Sequence, residues 1–126
     1  TGILQRLNFD EGECFPTGGS RDFPLRDGEF FVPTEDFIVA GSAFFCEMPR
    51  TVMLEKRDTD RRIAMNFPDF RYFGLWKVPG ARFLCMEPWT SLPALHGVVT
   101  ELTEKPDLIR LAAGEQKSLL CTVTFC

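Results

Sequence analysis

The run ARFLCMEPWT, residues 81–90, closes a strand-like stretch on a carboxylate, Glu87, and follows it with Pro88 and Trp89. Strand side chains alternate between faces, so Phe83, Cys85 and Glu87 share one side while Leu84 and Met86 share the other. Glu87 thus lies in line with core-type residues, where a carboxylate is either tied down by hydrogen bonds or kept for chemistry. Lost hydration on such a face disfavours the charged form and raises the pKa toward the range of a general base. Pro88 holds Glu87 extended, which gives its side chain a fixed direction. The plainer reading has Glu87 bonding backbone amides and Trp89 serving as core.

Other candidates for chemistry are sparser. Trp76, in YFGLWKV, shares a face with Tyr72 and Gly74, and the missing side chain of Gly74 leaves room there for a close neighbour or a ligand. Packing is the alternative role for Trp76. His96 is the one imidazole of the chain and follows SLPAL in a loop, where it reads as solvent-facing. Arg82, an even-numbered neighbour of Glu87, points to the opposite face. The five cysteines, 14, 46, 85, 121 and 126, include no CxxC pair. They suit buried thiols in a reducing, cytoplasmic compartment better than a disulfide framework or a zinc site. No Gly-rich loop leads into a helix, which argues against a nucleotide cofactor, and PTGGS is only a Gly pair in a loop.

The elements that must position these residues are strands. Thirteen Phe among 126 residues, with 44% hydrophobic and 25% charged residues, favour a globular β-rich chain with a substantial core. Turn chemistry such as RDTD, VPGA and AAGE separates expected strands at 30–32, 37–45, 51–56, 61–67, 70–77, 82–87, 96–102, 108–111 and 117–125. Val52 and Leu54, then Ile63 and Met65, alternate on either side of RDTDRR and mark a hairpin. In the closing strand Leu119, Cys121, Val123 and Phe125 make an apolar face opposite a mixed one, the pattern of an antiparallel β-sandwich. Residues 1–29, rich in Gly and charge, read as an irregular opening segment. A net charge of −4 without a basic patch argues against nucleic acid, and no apolar run spans a bilayer, so the chain reads as soluble.

From about Phe30 onward, the order FPDFRYFGLWKVPGARFLCMEPWTSLPALHG, then LTEK, then IRLAAGE, then a last strand resembles the C-terminal half of aldose 1-epimerase (galactose mutarotase)-like proteins, in their LacX-related branch. CMEPW with GLW upstream carries the resemblance; LAAGE alone would not. The resemblance covers roughly three quarters of the chain. It implies that residues 30–126 form the C-terminal part of a supersandwich, two large antiparallel sheets with a sugar in a groove on one of them.

The implied reaction interconverts the α and β anomers of a free hexose. A base takes the proton of the C1 hydroxyl, an acid protonates the ring oxygen, and the opened chain rotates and recloses. The family's base falls on Glu87, with Trp89 and Trp76 as aromatic surface for the sugar. Lys105 and Glu115 fall on family turn positions, and no cofactor is needed. The resemblance gives the acid histidine and a sugar-holding arginine to the N-terminal half, so the acid is expected from a segment other than this chain. At an aspartate that contacts sugar hydroxyls in relatives, this chain carries Ala40 or Gly41. Strands of two shared sheets would otherwise leave open edges, so the missing half or an edge-covering homo-oligomer is the expected partner. A non-catalytic carbohydrate-binding module and a ligand-free structural fragment are the alternatives.

Overall fold

A computed structural model describes residues 2–10, 15–34, 37 and 42–126. The chain is almost all β, and the strands pair antiparallel throughout. In chain order they are β1 (Ile3–Phe9), β2 (Pro16–Pro24), β3 (Ala43–Cys46), β4 (Thr51–Glu55), β5 (Arg62–Asn66), β6 (Tyr72–Trp76), β7 (Cys85–Trp89) and β8 (Thr122–Phe125). They form a five-stranded sheet, β2-β1-β3-β6-β7, and a three-stranded sheet, β4-β5-β8. Each sheet belongs to its own compact unit, Thr1–Met48 with Arg71–Leu108 for the first and Pro49–Phe70 with Ile109–Cys126 for the second. No helix among the described residues is long and apolar enough to cross a membrane.

The five-stranded sheet buries one face under aromatic rings. Directly paired residues share a face, so Phe45 lies with Arg6 and Phe73. Phe23, Phe31, Phe37 and Phe45 gather there with ring centroids 5.2 to 5.7 Å apart. Phe45 is 1% exposed. The guanidinium of Arg6 lies 4.6 Å from the centre of the Phe37 ring. Burial, then the facing Arg21 charge, pulls its pKa below the ordinary arginine value.

The three-stranded sheet grows from the hairpin expected over residues 51–67. Met65 faces Val52, Ile63 faces Leu54, and β8 adds Val123 beside Met65 and Phe125 beside Ile63. These six side chains make one apolar face. Asp58, at φ +61°, turns the tip, and the Thr59 hydroxyl closes it by donating to the Lys56 carbonyl at 3.1 Å. Asn66 donates to the Thr51 hydroxyl at 2.8 Å, which fixes the register at the open end.

Several expectations fail for a common reason: a strand needs a partner as well as a suitable composition. The opening segment expected to be irregular over 1–29 holds β1 and β2 among its described residues. Pairing carries β2 although it is Gly-rich and mostly exposed, and its two glycines at φ +92° and +70° lie where the register shifts. Residues 96–102 and 108–111 form no strand; Val99 is fully exposed and a 3-10 helix follows at Leu102–Glu104. Residues 30–32 contribute only a bridge from Phe30 to Arg26. The strand expected at 37–45 appears as β3 at its end, residues 38–41 lying outside the described ones. The strand expected at 117–125 is confined to β8.

Candidate functional site

Tyr72–Trp76 and Cys85–Trp89 form a hairpin at one edge of the five-stranded sheet, and its register sets the site. Glu87 lies directly opposite Gly74, Cys85 opposite Trp76, and Trp89 opposite Tyr72. All six therefore share the sheet face turned away from Phe45. Glu87 is half-buried, with an indole to either side along the hairpin. Trp76 is 37% exposed and packs on Phe83 at 5.8 Å between ring centres. Trp89 packs on Phe44 at 4.5 Å.

Gly74 is required by that neighbour. A Cβ built on it would stand 2.6 Å from Cε1 of Phe44, closer than any carbon contact allows. Phe44 faces Gly74 across β3 and is 3% exposed, with Phe9 stacked on it at 4.9 Å. The room foreseen at Gly74 thus holds a protein ring, which forms an aromatic floor next to Glu87.

The nearest polar neighbour of Glu87 along its own strand is Cys85. The thiol donates to the carboxylate, and its pKa is raised first by burial, then by the Glu87 charge and this hydrogen bond. A thiol shifted upward suits Cys85 to holding the carboxylate better than to acting as a thiolate nucleophile.

On the same face a polar clasp fastens the segment after β7. Leu92 donates its backbone N–H to Asp107 at 2.8 Å, and Lys105 donates to Asp107 at 2.9 Å and also to the Leu92 carbonyl. The Tyr72 hydroxyl donates to the same carboxylate; burial and this neighbour raise its pKa above 10.0. Burial alone would raise the pKa of Asp107, but the Leu92 and Lys105 hydrogen bonds and the Lys105 charge outweigh it and leave the carboxyl below its ordinary value of 3.8. A depressed carboxylate stabilises the fold above the ordinary aspartate range and loses that contribution as pH falls through the folded-state value. Asp107→Asn is therefore expected to cost about 1–3 kcal/mol near neutrality, a penalty that shrinks below about pH 4. Urea titrations at several pH values check it; a penalty constant with pH would refute the assignment.

His96 is half-exposed, as expected of a loop histidine, but it is not idle. Its Nδ1 lies 2.5 Å from the Asp10 carboxylate and its backbone N–H donates to the Pro16 carbonyl at 2.9 Å. Those contacts place it at the β1–β2 hairpin, three strands across the sheet from β7. Arg82 is exposed in the β6–β7 loop. Glu115 accepts from the Ala112 N–H at 2.8 Å within a turn. Cys14, Ala40 and Gly41 lie outside the described residues.

The hairpin therefore brings together Glu87, Trp76 and Trp89, and adds Phe44, Tyr72 and Cys85 around them. Tyr72 was legible in the alternation of YFGLW; Phe44 was not, because its place depends on β3–β6 register. Among the described residues no three metal-ligating side chains converge. The arrangement offers one carboxylate between two aromatic surfaces, suited to gripping the C–H faces of a polyol while accepting one of its hydroxyl protons. No protein family, curated protein or solved structure matches the chain.

Proposed function

We propose that the chain carries the base-bearing half of an aldose 1-epimerase-like isomerase, with Glu87 taking the C1 hydroxyl proton of a hexose held between Trp76 and Trp89. One observation supports this above the others: Glu87 faces Gly74 in a β6–β7 register that sets an indole on either side of the carboxylate. The Cys85 thiol orients the base. A general acid must protonate the ring oxygen, and in this reading it comes from a segment or partner other than this chain. The setting is reducing and cytoplasmic, in keeping with the scattered thiols.

The second reading is a carbohydrate-binding module without catalysis. It is favoured by His96, which is engaged at the β1–β2 hairpin rather than on β7.

NMR saturation transfer between the anomers of glucose and of galactose tests the first reading, with sugar binding followed through tryptophan fluorescence. Exchange above the buffer rate, with the acid-bearing segment or partner present, supports the isomerase. Quenched fluorescence without exchange leaves the binding module, and neither effect removes both readings.

A further inference from the structure

Among the described strands four lie at sheet edges, β2 and β7 in one sheet and β4 and β8 in the other, and three of them carry features that deter pairing. β2 holds Pro16, Gly18, Gly19, Arg21, Asp22 and Pro24; β7 holds Glu87 and Pro88; β4 follows Pro49 and Arg50 and ends at Glu55. Proline, charge and bulges are the devices that keep an edge from adding a further strand. β8 has none of them. From Ser118 to Cys126 the sequence SLLCTVTFC contains no charge, no Pro and no Gly.

The hydrogen bonding shows which groups of β8 face outward. Arg62 and Cys126 exchange both backbone bonds, at 3.1 and 3.0 Å. In an antiparallel ladder such closely spaced pairs recur at every second residue, so Thr122, Thr124 and Cys126 bond to β5. Val123 and Phe125 turn their N–H and C=O away from it, and Cys121, one residue before the strand, continues that alternation in the sequence. Among the described strands none pairs with that outer edge. Phe125 is 78% exposed and Val123 43%, although both belong to the apolar face.

We infer that β8 docks antiparallel against β8 of a second copy of this chain, joining two three-stranded sheets into one six-stranded sheet. A two-fold axis through Val123 pairs Val123 with its counterpart and Cys121 with Phe125 of the other copy. Val123 and Phe125 already turn outward, and the pairing extends β8 by one residue to Cys121, so each pair exchanges two backbone hydrogen bonds. The same axis, perpendicular to the sheet, keeps both apolar faces on one side and continues the stripe of Val123 and Phe125 across the joint. The run is uncharged, so self-pairing sets no like charges opposite one another. A contact limited to two strands is small, and the dimer is accordingly weak and concentration-dependent. The inference is independent of the role of Glu87.

Sedimentation and amide hydrogen exchange under reducing conditions, from micromolar to millimolar protein, test it. The expected mass rises toward twice that of the monomer. The amides of Val123 and Phe125 gain protection with concentration, while those of Thr122, Thr124 and Cys126 stay protected throughout. Val123→Pro removes an outward N–H, and Phe125→Lys sets a charge on the edge; both are expected to remain monomeric. If the proline disturbs the β5-facing amides, the lysine variant decides. A monomer at every concentration, a dimer whose outward β8 amides exchange unchanged, or a folded lysine variant that still dimerises would each overturn the inference.

Discussion

Under the proposed isomerase reading, Glu87→Gln is expected to lower anomer exchange by about 10²–10⁴-fold, the contribution of a well-placed general base. The carboxamide keeps the size of the side chain and an oxygen that can accept from Cys85, so the hairpin register and the two indoles remain in place. What it loses is the ability to take a proton. Sugar binding, read from tryptophan fluorescence, is therefore expected to survive while the exchange rate falls, the mark of an interaction made in the transition state. Equal exchange in both proteins would remove Glu87 from the chemistry. Loss of binding along with exchange would instead make the carboxylate a sugar contact.

Phe45→Ala is expected to destabilise the protein by about 3–5 kcal/mol, the cost of truncating a fully buried aromatic. Phe45 is 1% exposed and packs edge-on to Phe23 at 5.4 Å and tilted to Phe31 at 5.7 Å. Removing it opens a cavity that rings from two other segments must fill. Since a whole domain has only about 5–15 kcal/mol to lose, such a loss should be visible as a large shift in the urea midpoint. Trp76→Ala, on the opposite face and 37% exposed, provides the contrast. A smaller shift for Phe45→Ala than for Trp76→Ala would mean that the sheet is not held from the phenylalanine side.

The parts of the fold legible in the sequence were those with local partners. The 51–66 hairpin announced itself through alternating Val52, Leu54, Ile63 and Met65 around a charged tip, and the structure pairs those residues across one ladder. The faces of β6 and β7 were legible too: Tyr72, Gly74 and Trp76 do lie opposite Trp89, Glu87 and Cys85. Period two decides faces wherever a strand exists. Whether a strand exists depends on a distant partner. GVVT has the right composition but remains fully exposed at Val99, whereas the Gly-rich PTGGSRDFP becomes β2 by pairing with β1. Phe44 beneath Gly74 and the Asp107 clasp likewise join segments far apart in the chain, so no local pattern announces them.

The two compact units are interleaved along the chain, and this sets an order of events during synthesis. The first unit is suspended after Met48 and resumes at Arg71, while the second is left unfinished at Phe70 until Ile109. The β4–β5 hairpin emerges before its third strand, which follows about 55 residues later. At roughly 5–20 residues per second, the ribosome takes about 3–11 seconds to deliver it. For that interval the hairpin shows Val52, Leu54, Ile63 and Met65 without β8 beside them, and the first unit closes only once Leu108 has been made. The nascent protein thus passes through a dwell in which it is prone to aggregation, and a chaperone bound at the hairpin would shorten its exposure.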